Sequence, residues 1–247
     1  MSKITWSPND KWRILEYETP DQERIRYADQ PRQVRKAIDV ATEAHRYQYR
    51  KDTETPYITH CWGILSILIN CEWHFTDEEL AAAVLHDVLE DTIWLLANVP
   101  GFGDLAITVK SRDELSLETK AALRHRQFQE IYFQFKEEVA GIVWLLTKPD
   151  EEEWRRKIYM VSLKRVAPSV IAIKLADMLH NSTDLPAGLM TKSGIPFDIY
   201  FRDKVAEDAP PLIETLRMHG IVWHGIANWF ETKIRYLTEI IPVEKKA

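Results

Sequence analysis

The chain has 247 residues, 45% of them hydrophobic and 28% charged, a globular mix that excludes a disordered polypeptide. Lys and Arg number 32 against 38 Asp and Glu, a net charge of −6, which is the wrong sign for coating nucleic acid or an anionic membrane by bulk electrostatics. No apolar run nears the roughly 20 residues of a membrane helix, and Met1-Ser2-Lys3-Ile4-Thr5-Trp6 offers no apolar signal core.

Only 8 residues are Gly, against 12 Pro, which favours long helices over a many-turned β architecture. Residues 1–30 are a polar extension in which Trp6–Trp12 is a candidate β-hairpin. From Pro31 onward Val34, Ala37, Ile38, Ala41 and His45 repeat on one helical face. The charged stretch Arg50–Pro56 interrupts it. A second helix is expected over Tyr57–Asn70, with Thr59, Gly63, Ser66 and Asn70 as a stripe of small polar residues. A third, Asp77–Asp91, is apolar nearly all round through Leu80, Val84, Leu85, Val88 and Leu89, and should be central. Cys61 and Cys71, ten positions apart on one helix, would lie about 15 Å from each other. A disulfide needs about 7 Å or less, so both read as reduced thiols of a cytoplasmic protein.

Residues 93–114, with Pro100-Gly101-Phe102-Gly103, form an irregular connection. Helices are then expected at 115–147, 151–166, 168–181, 197–217 and 221–240. In the last of these Ile221, Ile226, Trp229, Phe230, Ile234, Leu237 and Ile241 recur at mostly helical spacing. This stripe suits core packing and is also compatible with a homo-oligomer. The expectation is one all-α domain: an extension over 1–30, a main body over 31–205, and terminal helices over 206–247 packed on the same body.

Chemistry concentrates at Leu85-His86-Asp87-Val88-Leu89-Glu90-Asp91-Thr92. Carboxylates at the C-terminal end of an apolar helix meet both desolvation and the negative pole of the helix dipole. A divalent cation would compensate both; a solvent-exposed helix end is the bland alternative. His86 with Glu90, and Asp87 with Asp91, stand at i,i+4 spacing. Asp177 interrupts a second apolar helix, where it either joins the same site or pairs with Lys174 three residues earlier. Asn181 shares its face. His60 follows Pro56-Tyr57-Ile58 and reads as a ligand or a satisfied core histidine. Two His and two Asp suit Mn²⁺, Fe²⁺ or Zn²⁺, and without a cysteine pair they do not make a closed structural zinc site. Arg124-His125-Arg126 and Arg155-Arg156-Lys157 are local basic clusters without a nucleic-acid motif.

Four motifs in order, Ala44–Lys51, Pro56–His60, Ala82–Thr92 and Ile173–Asn181, resemble the RelA/SpoT-type HD hydrolases, which remove the 3′-pyrophosphate of the alarmone (p)ppGpp. The resemblance spans about residues 30–205 and implies an all-α HD-domain bundle acting as a stand-alone alarmone hydrolase. It places His60, His86, Asp87 and Asp177 on one Mn²⁺. Glu90 and Asp91 become the acidic pair that orients the attacking water, and Arg50, Lys51, Asn181 and Tyr200 contact the nucleotide. The implied partner is a small anionic nucleotide, with no nucleic acid and no membrane. His45 belongs to the pattern without being a ligand.

The chain departs from that family at Cys61, Met178 and Thr183, the last two standing where basic residues are usual, and the spacing from Glu90-Asp91 to Thr147-Lys148 is longer than the family's, which implies an insertion over about 93–130. Substrate identity therefore stays open between ppGpp and another nucleotide such as ppApp, NADPH or a nucleoside monophosphate. A degenerate nucleotide-binding domain is the third reading, and the intact set of ligands and acidic residues argues against it.

Overall fold

The computed structural model describes residues 28, 30–50, 53–71, 73–92, 115–148, 153–183 and 196–240. Helix α1 (Arg32–Ala44) buries Val34, Ala37, Ile38 and Ala41, the face its periodicity announces. Its exposed side is charged, so burial of this one stripe holds it in place. The connection that follows is pinned as a narrow loop. Tyr49 bridges Pro56, and Arg50 N–H donates to the Thr55 carbonyl at 2.8 Å while Tyr57 N–H donates to Gln48 at 2.9 Å.

Helix α2 (Ile58–Asn70) is buried at every position from Ile58 to Leu68. Its small polar stripe is therefore interior, and Gly63 has a specific use described below. Helix α3 (Asp77–Leu85) starts with a capping box: the Thr76 hydroxyl accepts from Glu79 N–H, and Thr76 N–H donates back to the Glu79 carboxylate at 2.9 Å. Such a cap contributes about 1 kcal/mol. The single helix expected over Asp77–Asp91 is in fact two. A turn at His86-Asp87 separates α3 from the short α4 (Val88–Asp91). Asp87 leaves ideal helical geometry, with φ −96° and ψ −4°, so Glu90 and Asp91 open a new turn rather than closing a long helix.

Helix α5 (Leu117–Leu146) begins at Ser116, whose hydroxyl accepts from Thr119 N–H. It is followed by α6 (Glu153–Ser162), a 3₁₀ turn at Leu163–Arg165, α7 (Pro168–Thr183) and α8 (Phe197–Met218). Pro168 occupies the first turn of α7, where its missing N–H costs nothing. The C-terminal stretch expected as one helix is a 3₁₀ turn (Ile221–Trp223), α9 (His224–Arg235) and a π-turn (Tyr236–Ile240). Gly220, at φ 118°, makes the reversal from α8 into it. Ile226, Phe230, Ile234 and Leu237 are buried as the stripe requires, whereas Ile221 lies before the helix and is exposed.

The described residues are helical apart from turns, short connections and isolated bridges, with no strand among them. α2 packs on α3 and α7, α1 and α5 on α3, and α8 on α7 and α9. One apolar cluster runs unbroken from Val34 to Leu237. The candidate hairpin at Trp6–Trp12, Lys51 and residues 93–114 lie outside the described residues.

A kink in α5 is the one point of backbone strain outside glycine among the described residues. Lys136 has φ 72° and ψ −175°, a region suited to glycine alone. Beside it the Gln134 carbonyl accepts a hydrogen bond from Lys36 Nζ of α1 at 3.0 Å, and that ammonium stands 4.9 Å from the Phe135 ring. Lys136→Gly relieves the strain without touching these contacts. It should stabilise the fold by about 1 kcal/mol, raising Tm by about 2–4 °C in a calorimetric melt; an unchanged or lower Tm would show that the backbone there is relaxed.

Candidate metal centre and its cavity

Three elements deliver four ligand-type side chains to one place: α2 carries His60, the α3–α4 turn carries His86 and Asp87, and α7 carries Asp177. His86 Nε2 lies 2.8 Å from Asp87 Oδ2, and His60 Nε2 lies 3.6 Å from the same oxygen. Asp177 Oδ1 is 3.2 Å from His60 Nε2 and 3.9 Å from His86 Nε2. Ligand atoms sharing one cation at about 2.1 Å stand roughly 3.0–3.4 Å apart, so this spacing fits a single small ion. Both Nε2 atoms are buried without a well-directed hydrogen bond. That is an unfavourable state for a polar atom and the natural one for a metal ligand. A neutral-imidazole and carboxylate set of this kind suits Mn²⁺, Fe²⁺ or Zn²⁺.

The other ring nitrogens define the tautomers. His86 Nδ1 faces the Ala83 carbonyl at 2.9 Å, which can only accept. Its proton therefore sits on Nδ1 and the Nε2 lone pair is available. His60 Nδ1 faces His180 Nδ1 at 2.9 Å. With His60 donating there and His180 accepting, His60 also presents a lone pair at Nε2. Burial, with Arg50 nearby, lowers the His60 pKa to about 4, and burial together with His60 holds His180 well below the usual range, so both are neutral. At His86 burial opposes a charge, yet the Asp87 carboxylate outweighs it and raises the pKa to about 9. The cluster thus demands positive charge beside Asp87, which a cation supplies as well as a proton does.

The carboxylates are braced from behind. Tyr57 Oη donates to Asp87 Oδ2 at 2.6 Å. Lys174 donates to Asp177 Oδ2 at 2.7 Å while Asn181 Nδ2 donates to Oδ1 at 2.6 Å. Both alternatives for Asp177 therefore hold together, one oxygen paired with Lys174 and the other facing the histidines. Burial would raise the Asp177 pKa, but Lys174 keeps it well below the usual carboxylate value. Arg50, buried, donates to Asn181 Oδ1 at 3.0 Å and lies 5.6 Å from the Tyr57 ring.

The cluster opens into a cavity of about 230 Å³. Asp87, Glu90, Asp91, Asp177 and Asn181 line it, with Lys148, Lys174 and Lys204. Glu90 is held twice by Lys148, whose backbone N–H donates to Oε2 at 3.0 Å and whose Nζ stands 3.6 Å from Oε1. Gln48 donates to Asp91 Oδ2 at 3.3 Å and pairs with His45, which is buried and stacked on Tyr57. Helix α5 steadies α4 from outside: Arg124 donates to the Leu89 carbonyl, and Gln127 donates to the Thr92 hydroxyl at 2.8 Å.

Of the nucleotide contacts expected from the sequence, Asn181 lines the cavity, Arg50 sits behind Asn181, and Lys51 is outside the described residues. Tyr200 is half-buried on α8 and its neighbour Phe201 lines the cavity instead. Thr183 is turned inward, its hydroxyl donating to the Leu179 and His180 carbonyls, whereas Met178 faces the cavity. Tyr57, His180, Lys148 and Lys204 carried no role in the sequence reading. Tyr57 and His180 stood inside the quoted motifs, and the i+4 partner of Tyr200 was the available signal for Lys204.

Fold and site together define an HD-domain protein with a candidate mononuclear metal centre, and the HD domain family matches residues 37–109. Human guanosine-3′,5′-bis(diphosphate) 3′-pyrophosphohydrolase MESH1 is 34% identical over 155 residues, 62% of this chain and 69% of that protein. The Xenopus tropicalis MESH1 is 31% identical over 153 residues, 60% of this chain and 67% of its own length. The bifunctional (p)ppGpp synthase/hydrolase SpoT of Escherichia coli K12 is 31% identical over 159 residues, 64% of this chain but only 18% of SpoT. A solved structure of a metazoan SpoT ortholog that hydrolyses ppGpp superposes with a TM-score of 0.57 at 23% identity, covering 85% of this chain and 98% of its own; it supports the fold. The chain belongs to the HD-domain family of MESH1-type guanosine-3′,5′-bis(diphosphate) 3′-pyrophosphohydrolases.

His180 positions His60, and Gly63 makes room for it. A Cβ at residue 63 would lie 1.9 Å from His180 Nε2. His180→Phe keeps the ring but removes the acceptor, and should weaken divalent-cation binding about 10–100-fold. His180→Asn should recover part of it through an amide oxygen near the Nδ1 position. Electron paramagnetic resonance of free Mn²⁺ measures the affinity, with circular-dichroism melts as the control; a lowered Tm at unchanged affinity would reduce His180 to packing.

Proposed function

We propose that this chain hydrolyses guanosine 3′,5′-bis(diphosphate), or its 5′-triphosphate counterpart, at the 3′-pyrophosphate, releasing GDP or GTP respectively together with pyrophosphate, with Mn²⁺ held by His60, His86, Asp87 and Asp177. The observation that carries the reading is the pair of buried Nε2 atoms, each without a well-directed hydrogen bond, converging with two carboxylates beside Glu90 and Asp91 in one cavity.

When bound, the cation supplies Lewis acidity and two positive charges to a polyanionic substrate. The need is visible in the lining: five carboxylates (Asp87, Glu90, Asp91, Asp177, Asp208) face three lysines, an excess of two negative charges that one divalent ion cancels. Glu90 and Asp91 stand beside the centre on a turn that Lys148, Gln48, Arg124 and Gln127 immobilise, so their carboxylate oxygens hold fixed positions for a water. One of the two takes the water's proton as its oxygen bonds to the phosphorus. The bond from that phosphorus to the ribose 3′-oxygen breaks, and the proton ends on the 3′-hydroxyl. Asn181 and Lys148 lie at the cavity surface to donate to phosphate oxygens, and Arg50 holds Asn181 in register.

Met178 in the lining favours a second reading at the level of substrate, since an apolar side chain there is neutral toward the base and tolerates an adenine or nicotinamide nucleotide. With ppApp the chemistry is the same and the product is pyrophosphate, whereas NADPH or a nucleoside monophosphate offers a phosphomonoester in its place and would release orthophosphate, so the product separates the readings.

Incubation of the protein with Mn²⁺ and, separately, ppGpp, ppApp, NADPH and simple nucleotides tests both readings. Pyrophosphate and GDP are expected from ppGpp, resolved by anion-exchange chromatography. Glu90→Gln should lower kcat about 10²–10⁴-fold with cation binding retained, and His86→Ala should abolish both. Orthophosphate as the sole product, or full activity of His86→Ala, would overturn the assignment.

A further inference from the structure

The three lysines of the cavity are not equivalent. Lys174 is paired with Asp177 at 2.7 Å, and Lys148 is committed to Glu90. Lys204 has no carboxylate within 4.0 Å among the described residues, and its ammonium instead rests 4.2 Å from the centre of the Tyr200 ring. Both residues lie on α8, one helical turn apart, which presents them to each other. α8 supplies no residue to the metal cluster. It adds Phe201, Lys204, Val205 and Asp208 to the cavity wall, next to Met160 and Met178.

A nucleotide bearing diphosphates on both the 3′- and 5′-oxygens brings two polyanionic arms. The scissile arm belongs to the metal cluster with Glu90, Asp91 and Lys148. The second arm remains strongly charged and needs a cation of its own in a wall already holding Asp208. Lys204 is the lysine of the described lining whose ammonium is not already shared with a carboxylate, and Phe201 one turn before it offers a ring face to the base. The cation–π seat on Tyr200 holds the ammonium in place at no electrostatic cost, since an aromatic face does not neutralise it.

We propose that Lys204, seated on Tyr200, is the specificity-determining cation of the site and receives the 5′-diphosphate, the phosphate arm that is not cleaved. This rests on the pyrophosphohydrolase reading of the cavity. It gives Tyr200 a positioning role, through Lys204, in place of direct nucleotide contact.

The test combines a change in the enzyme with a change in the substrate. Wild type, Lys204→Met, Lys204→Arg and Tyr200→Leu are assayed with Mn²⁺ on ppGpp and on guanosine 3′-diphosphate carrying a free 5′-hydroxyl. For Lys204→Met on ppGpp, KM should rise about tenfold or more with kcat within about twofold. Lys204→Arg should restore most of the affinity, and Tyr200→Leu should produce a smaller rise. Removing the ammonium and removing the 5′-diphosphate should together cost no more in kcat/KM than either alone, the signature of two groups that act on each other. Fully additive losses, an unchanged KM for Lys204→Met, or a fall in kcat alone would overturn the proposal. Absence of ppGpp turnover by the wild type would instead overturn the reading of the site on which it rests. Circular-dichroism melts of each variant separate a lost contact from a lost fold.

Discussion

Adjacent residues on a regular α-helix point about 100° apart, so His86 and Asp87 can serve one centre only where the helix gives way between them. The turn separating α3 from α4 is that place, and it brings His86 Nε2 within 2.8 Å of Asp87 Oδ2. Everything else at the site is arranged around this break. α3 enters it fully buried through Leu80–Leu85, which fixes the position of the turn in the core. α4 leaves it with Glu90 and Asp91 in its opening turn, facing the cavity. Helix α2 and α7, packed on each other, bring His60 and Asp177 to the same point from two directions.

A buried cluster of this composition is costly unless every member is oriented and the charge is balanced. The surrounding hydrogen bonds answer the first need. Ala83 and His180 set the two imidazole tautomers, Tyr57 and Asn181 aim the two carboxylates, and Lys174 partly neutralises one of them. These partners come from α3 and α7 or from the residue that opens α2, so the site is braced by the elements that carry its ligands. The acidic pair is different. It is steadied by Lys148 at the end of α5, by Gln48 ahead of α2, and by Arg124 and Gln127 on the outer half of α5. That outer half falls in the stretch the sequence reading sets apart as inserted, and its contacts reach the end of the cavity that carries Glu90 and Asp91.

The parts of this arrangement legible from sequence are those written in local patterns. The stripe of Val34, Ala37, Ile38 and Ala41 announces α1, and four ordered motifs announce the ligands and the acidic pair. Continuous apolar runs hide breaks, and so the turn at His86-Asp87 read as one helix: leucine and valine on both sides satisfy either geometry. Bracing contacts were hidden for another reason. His180 is visible as a residue, but its hydrogen bond to His60 spans 120 positions, and the cost of Ala at Gly63 appears only once α2 lies against α7. Arg124 read only as part of a local basic cluster because nothing local reveals that its guanidinium reaches the Leu89 carbonyl on α4.

Charge shows the same separation between pattern and place. A chain of net charge −6 repels polyanionic polymers over distances comparable with the Debye length, about 8 Å at physiological salt, whereas a small nucleotide responds to the few groups it touches. Acidity at the centre therefore opposes a phosphate only until a divalent cation is in place, after which the lining is neutral and the remaining distribution decides orientation. Two positions where the resemblance leads to a basic residue, and where this chain is neutral, are Met178 and Thr183. Thr183 points into the protein and does not line the cavity, so its neutrality is felt only weakly there. Met178 does face the cavity, and α8 places Lys204 on the same lining. With Met178 neutral, the lysine of that lining without a carboxylate partner among the described residues is Lys204 on the packed neighbour α8, so the positive charge open to a phosphate lies on the α8 side of the cavity.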